Sequence, residues 1–301
     1  MKKVSAAQKK KRAGGFSGSR INPTAFSWSQ LKFYAILVPM ALFMIIPVVM
    51  IVSRAFMPLG ELYAFPPKIL VSKPTLNNFR DLLELSGATG VPMSRYLLNS
   101  LVITVLTMIL NLILCVLGAY ALSKKRFRGK EKLFAINQLA LMFVPTAVAV
   151  PRYLVIVKSG MMNTLLAHVM PLLAMPVVLF LVKQFVDQIP GALIEAAVVD
   201  GAGDLTIIRR IIIPLTRPAL ATAAVLSFQA VWGSVEASNN FITDDSLRTL
   251  SFYLNAISTN NAVASAGMVA AASMILFIPN LVIFIIMQSQ VMNTMSHSGI
   301  K

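Results

Sequence analysis

The residues whose types and spacing could do work lie in one stretch: Glu195-Ala196-Ala197, then Gly201, then Ile211, Ile213 and Pro214. Pro190 can open a helix. Residues 192–200 continue it, and Gly201 and Gly203 are natural stops. Asp204 can cap a second short helix running to Ile212, which Pro214 ends. On the first helix Leu193, Ala197 and Asp200 fall close to one line, and Ile194, Val198 and Gly201 on another. Ala196 and Ala197 offer a thin surface for close approach. A helix–glycine–helix elbow with an apolar face needs something to pack on. Lipid headgroups are one partner that fits; another polypeptide is the second.

Elsewhere the chain lacks the ingredients of an active site. A phosphate-cradling Gly-x-x-x-x-Gly-Lys-Ser/Thr loop is missing, since Arg128-Gly129-Lys130 has no glycine at the required upstream spacing. His168 and His297 stand apart from any Cys or carboxylate cluster, so neither a metal site nor a catalytic site is expected. The single cysteine, Cys115, excludes an internal disulfide. It lies in an apolar run and reads as a small buried hydrophobe. Polar residues inside apolar runs are candidates for a solute path where they face a cavity. Asn99, Asn111, Gln138, Asn163, His168, Gln229 and Asn280 qualify, although His168 also suits hydrogen-bonded helix packing. Gln229 and Trp232, at i and i+3, share a helix face that joins a planar amide to an aromatic ring. Interhelical bonding and interfacial anchoring suit the same two residues.

The elements that must position these residues are membrane helices. Of 301 residues, 57% are hydrophobic and only 13% charged, with a mean hydropathy of +0.75. An ordinary soluble domain carries roughly 25% charged residues. Six apolar runs are long enough, or nearly so, to cross a bilayer as helices: 33–56, 97–122, 133–157, 163–182, 219–232 and 262–287. Proline recurs in them, at Pro39, Pro47, Pro145, Pro151, Pro171, Pro176 and Pro279, which fits bent helices around a cavity. The small residues Ala262, Ala264, Ala266, Gly267, Ala270, Ala271 and Ala272 let the last run pack closely on a neighbour.

The net charge of +16 follows topology rather than nucleic acid. Residues 1–32 hold eight basic residues and no acid, which reads as a cytoplasmic tail ahead of an uncleaved first helix. The segment 123–132 holds Lys124, Lys125, Arg126, Arg128, Lys130 and Lys132 against Glu131 and belongs on the same side. Residues 233–261 hold Arg248 against Glu236, Asp244 and Asp245 and belong outside, as does the proline-rich loop 57–96. The expectation is an all-α polytopic membrane protein with six transmembrane helices and both termini inside. It has a basic tail over 1–32, a six-helix transmembrane domain over 33–301, and the elbow at 190–214 on the inner face.

The elbow also carries a resemblance. Glu-Ala-Ala, three residues, Gly, nine residues, Ile, one residue, a leucine-like residue and Pro is similar to the signature loop of the membrane subunits of bacterial ABC importers. Ile213 stands where leucine is usual. Pro67 with Pro74-Thr75-Leu76-Asn77-Asn78-Phe79, Leu98-Asn99-Ser100-Leu101, Pro151-Arg152-Tyr153, Gly160 to Thr164, Ile278-Pro279, Gln288 and the closing Ser298-Gly299-Ile300-Lys301 resemble the sugar-importing branch, the class of the maltose permease's smaller membrane subunit. The outer segment Glu236-Ala237-Ser238-Asn239-Asn240 departs from that branch.

The resemblance implies a type I ABC importer permease fold in the bacterial cytoplasmic membrane. The elbow would be a coupling helix docked on a separate ATPase, with Glu195, Ala196, Ala197, Asp200, Gly201, Ile211 and Pro214 as its coupling residues. Asn99, Asn111, Gln138, His168, Gln229, Trp232 and Asn280 remain the candidates for the substrate path. The implied partners are a second homologous permease, two cytoplasmic ATPase subunits that bind ATP and magnesium, and an extracytoplasmic solute-binding protein. This chain itself would hold no cofactor. A sugar or oligosaccharide is the implied cargo, with a polyamine or an inorganic anion as the alternative. A carrier driven by ions would instead need buried carboxylates, which the runs lack at their centres.

Overall fold

The computed structural model describes residues 31–88, 90–259 and 266–298, and every regular element among them is helical. Residues 1–30 lie outside the described residues, and most of the expected basic tail with them. Ala262, Ala264 and the closing 299–301 lie outside as well.

The principal helices are α1 (Leu31–Ala55), α2 (Asn77–Ala88), α3 (Met93–Lys124), α4 (Lys130–Ala140), α5 (Ala149–Lys158), α6 (Pro176–Asp187), α7 (Gly191–Val199), α8 (Arg217–Trp232), α9 (Leu250–Thr259) and α10 (Ala266–Ser298). Four described helices are long and apolar enough to cross a membrane by themselves: α1, α3, α8 with its extension to Asn240, and α10. The fifth run, short in sequence, gains that length because the chain continues past Gly233 into the turn Glu236–Asn240.

The third and fourth runs are not single continuous helices. Each is a broken pair. α4 and the segment Pro145–Lys158 meet at a bend of 112°, and Leu166–Leu172 meets α6 at 46°. The cause is local. Val144 and Met175, each just before a proline, are extended, at ψ 134 and ψ 105. Pro145 and Pro176 then begin new helices, where the missing N–H is harmless.

A break in an apolar setting frees carbonyls that need donors. Asn111 Nδ2 of α3 donates to Leu173 O at 2.6 Å, and Asn137 Nδ2 of α4 donates to Pro176 O at 3.2 Å. Two asparagines thus satisfy the backbone on either side of the second break.

The core joins α3, α6 and α8 with the residues that follow the elbow. Val116, Ala119 and Tyr120 of α3 pack with Val178, Val182 and Val186 of α6 and with Ile207, Ile208 and Ile212. A second cluster gathers Leu82, Tyr96, Phe228, Trp232, Leu250, Tyr253, Leu254 and Ala272, with Tyr96 and Tyr253 stacked at 4.7 Å. Gly267 marks a close approach. Asn78 is buried and donates to the carbonyls of Arg54, Ala55 and Met57, and a Cβ on Gly267 would stand 2.6 Å from its Cγ.

Candidate functional site

The elbow is where the residues singled out by spacing come together. Pro190, at φ −58 and ψ 134, leads into α7. At the far end Gly201 takes φ +81, the left-handed region where a side chain is strained. Its N–H donates to Val198 O at 3.0 Å and the Ala202 N–H reaches back to Ala197 O at 2.9 Å. That pair of bonds is a Schellman closure, so Gly201 ends the helix and turns the chain as its position in sequence suggests.

The two faces of α7 differ. Ile194 and Ala197 are half-buried and pack on the core of α3 and α6, joined by Ala202 and Ile211. Leu193, Glu195, Ala196, Val198, Val199 and Asp200 are exposed, with Val199 at 87%. The inner line is therefore Ile194 with Ala197, not Leu193 with Ala197. Of the expected coupling residues, Glu195, Ala196, Asp200 and Gly201 face outward, whereas Ala197 and Ile211 face inward. A groove of about 520 Å³ lies behind the turn between Ala197, Gly201, Thr206 and Arg210.

Two expectations about the second limb of the elbow are corrected. Asp204 does not cap it; Gly203 stands at the cap position with no side-chain bond. The Asp204 carboxylate instead takes Lys125 Nζ at 2.6 Å and Tyr120 Oη at 3.0 Å. Lys125 first, and Tyr120 second, hold its carboxyl below the ordinary range against a smaller opposing effect of burial.

Pro214 does not end the limb either. The turn Ile208–Ile212 is widened to π geometry, and Ile213–Leu215 begins a fresh helical turn in which Pro214 needs no N–H. Thr216 closes it, donating from N and Oγ1 to Ile212 O at 2.9 and 2.8 Å.

The polar candidates of the apolar runs are dispersed. Asn111 is fully buried; besides donating to Leu173 O it accepts from Ser227 Oγ of α8 at 2.8 Å. Asn99 is buried and donates to Ser246 O and Arg248 O at 2.8 and 3.0 Å. His168 is buried with Nε2 3.2 Å from Leu247 O. Asn280 donates within its own helix to Leu276 O at 3.2 Å. Asn163, at φ +57, accepts from the N–H groups of Thr243 and Asp244.

Trp232 is buried, stacks on Phe228 and donates to Leu276 O at 3.1 Å, whereas Gln229 is exposed. The two therefore do not present one open face. The helix turns three residues through slightly less than a full circle, and that difference separates them at the edge of the packed interface. Gln138 is exposed.

Several partnerships go beyond what the sequence indicates. Arg152 binds both carboxylate oxygens of Glu236, at 2.8 and 2.9 Å. Lys124 Nζ donates to Ile189 O at 2.6 Å. In sequence, Lys124 and Lys125 read only as topology charges. Among the described residues no group of His, Cys, Asp and Glu could hold a metal ion.

Comparison with known proteins places this architecture. The profile of a family described as binding-protein-dependent transport system inner membrane component matches residues 116–291. The inner membrane ABC transporter permease protein YcjP of Escherichia coli (strain K12) is 29% identical over 279 residues, covering 91% of this chain and 97% of that protein. The melibiose/raffinose/stachyose import permease protein MelC of Bacillus subtilis (strain 168) is 30% identical, over 68% of this chain and 75% of that one. Among solved structures, a chain of a bacterial ABC transporter involved in importing the acidic polysaccharide alginate superposes with a TM-score of 0.74. It is 23% identical, and the match covers 89% of this chain and 99% of that one. This likeness supports the type I permease fold.

Proposed function

This chain belongs to the binding-protein-dependent transport system inner membrane components, and we propose that its elbow is the handle by which a separate ATPase drives sugar import. The chain is a non-catalytic permease subunit of a sugar ABC importer, a multi-pass protein of the plasma membrane that works with a solute-binding protein. Relatives named for melibiose, raffinose, stachyose and alginate carry saccharides. A polyamine cargo is not favoured beside them.

The observation that carries the mechanical reading is the outward apolar face of α7, with Leu193, Val198 and Val199 exposed beside Glu195 and Asp200. A short helix closed by a left-handed glycine and backed by core residues is a stiff projection. Ala197 and Ile211 seat it, with Pro214 in the helical turn that follows; Glu195, Ala196, Asp200 and Gly201 meet the partner. In this reading each broken pair counts as one span, giving six spans with both ends inside. The basic segment 123–132 then lies on the cytoplasmic side with the elbow.

Two ATPase subunits, which bind ATP and magnesium, would close on nucleotide and shift the membrane helices between two packings. A second, homologous permease would complete the pathway. This chain's share of the path would fall to exposed polar residues such as Gln138 and Gln229. Asn99, Asn111, His168, Trp232 and Asn280 would hold the frame around it.

The test is purification of the membrane complex together with binding assays on its solute-binding protein. The reading expects ATPase subunits to copurify, and raffinose, melibiose or alginate oligosaccharide to bind while spermidine does not. Binding of spermidine alone, or a complex without an ATPase, would contradict it.

A further inference from the structure

We propose that the cytoplasmic end of α3 is a two-pronged strap, in which Lys124 and Lys125 hold the two ends of the coupling helix and pass its movement to the broken fourth run. The proposal rests on the importer reading above and adds positioning residues to it.

The first prong acts where the chain enters α7. Lys124 Nζ stands 2.6 Å from Ile189 O, one residue ahead of Pro190, and 3.3 Å from Asp187 O. The second prong acts where the chain leaves. Lys125 Nζ lies 2.6 Å from Asp204 Oδ1, and Tyr120 Oη donates to the same oxygen at 3.0 Å. The Lys125 ammonium also lies over the Tyr120 ring, 5.6 Å from its centre. Two neighbouring residues at one helix end thus grip both sides of a projection whose own backing is only half-buried Ile194 and Ala197.

The other end of the linkage is on the same helix. Asn111 of α3 ties the Leu173 carbonyl at the fourth run's break to Ser227 of α8. Between these points α3 and α6 approach closely, since a Cβ on Gly118 would stand 3.2 Å from Leu179 Cδ1. A continuous helix of 32 residues is stiff along its axis, and packed elements move as units rather than stretch. A pull on α7 therefore reaches α3 through the strap, beside the direct chain connection through residues 188–190 to α6, and α3 carries it to the break through Asn111.

Stability alone does not account for the second prong. The Lys125 and Asp204 side chains are 46% and 53% exposed, and an exposed ion pair adds little to folding. Yet Asp204 forgoes capping its own helix in order to take two donors from α3. Those donors hold its carboxyl below the ordinary carboxylate range.

The experiment uses the whole complex in nanodiscs, with ATP and vanadate as the probe that traps the closed ATPase. Hydrogen exchange is read in α7 and across residues 166–187, with and without trapping. In the charge-intact complex both regions should respond. In Lys125→Asp and in Asp204→Lys, α7 should still respond, while the response of 166–187 falls about five-fold or more, the size of an ordinary coupling between sites. The combined charge exchange should restore it, because an ion pair of reversed polarity still grips; two independent structural defects would add instead.

Single variants that transmit the full response to 166–187, or an exchange that fails to rescue, would overturn the strap with the importer reading intact. A charge-intact complex whose α7 ignores trapping would overturn both.

Discussion

The inner elbow and the middle of the helical bundle use polar groups in opposite ways. At the middle, Asn111 is fully buried and spends its amide on the backbone of a broken helix and a neighbouring hydroxyl. At the elbow, Asp204, Lys124 and Lys125 stand near the surface and hold the flanks of a helix whose apolar face is left bare. The first arrangement makes a bend permanent, because the freed carbonyl has no water to turn to. The second fixes where a helix sits without covering what it presents. The contrast separates a part built to keep its shape from the part proposed to be gripped.

The comparison breaks most severely at the middle. Asn111→Leu should lower stability by about 2–4 kcal/mol, since Leu173 O and Ser227 Oγ both lose a buried partner. Thermal unfolding of the detergent-solubilised complex measures it. Gly201→Val should cost about 1–2 kcal/mol through the left-handed backbone at φ +81. It should also abolish uptake, because the turn that aims α7 is lost; transport assayed against expressed protein separates the two effects.

Val199→Asp sharpens the contrast from the other side. On a side chain 87% exposed, it should change stability by less than about 0.5 kcal/mol and yet release the ATPase subunits during purification. The smallest effect is on pH. The Asp204 carboxyl is held below its ordinary value by Lys125 and Tyr120, so its contribution is present at neutral pH and is lost only as pH falls through that lowered value. Hydrogen-exchange protection at residues 204–207, taken relative to the intrinsic exchange rate at each pH, should thus hold down through the usual carboxylate range near about 3.9 and fall only below it.

The elbow was legible because its information is local. Glu195-Ala196-Ala197, Gly201 and the following isoleucines sit within one short segment, and the helix start at Pro190 and the stop at Gly201 follow from their residue types, whereas the cap at Asp204 and the stop at Pro214 do not. The spans were legible as hydropathy, but a window of apolar residues is the same for a straight helix and a broken one. Pro145 and Pro176 were visible, while the donors that make the second break tolerable, Asn111 and Asn137, come from other helices. Trp232 and Gln229 share a helix but not an environment, and only packing against α10 decides which of them is covered. The grip on Asp204 was the least legible, because Tyr120 is 84 positions away in sequence and the lysine beside it served equally well as a topology signal.

The central claim is that the bare face of α7 is held by an ATPase subunit, and a photo-crosslinker attached at Val199→Cys in a Cys115→Ser background tests it most directly. Illumination of native membranes should join this chain to the ATPase subunit, and the adduct should weaken when Gly201→Val is added. Adducts with lipid alone, in membranes where the ATPase is present, would contradict it.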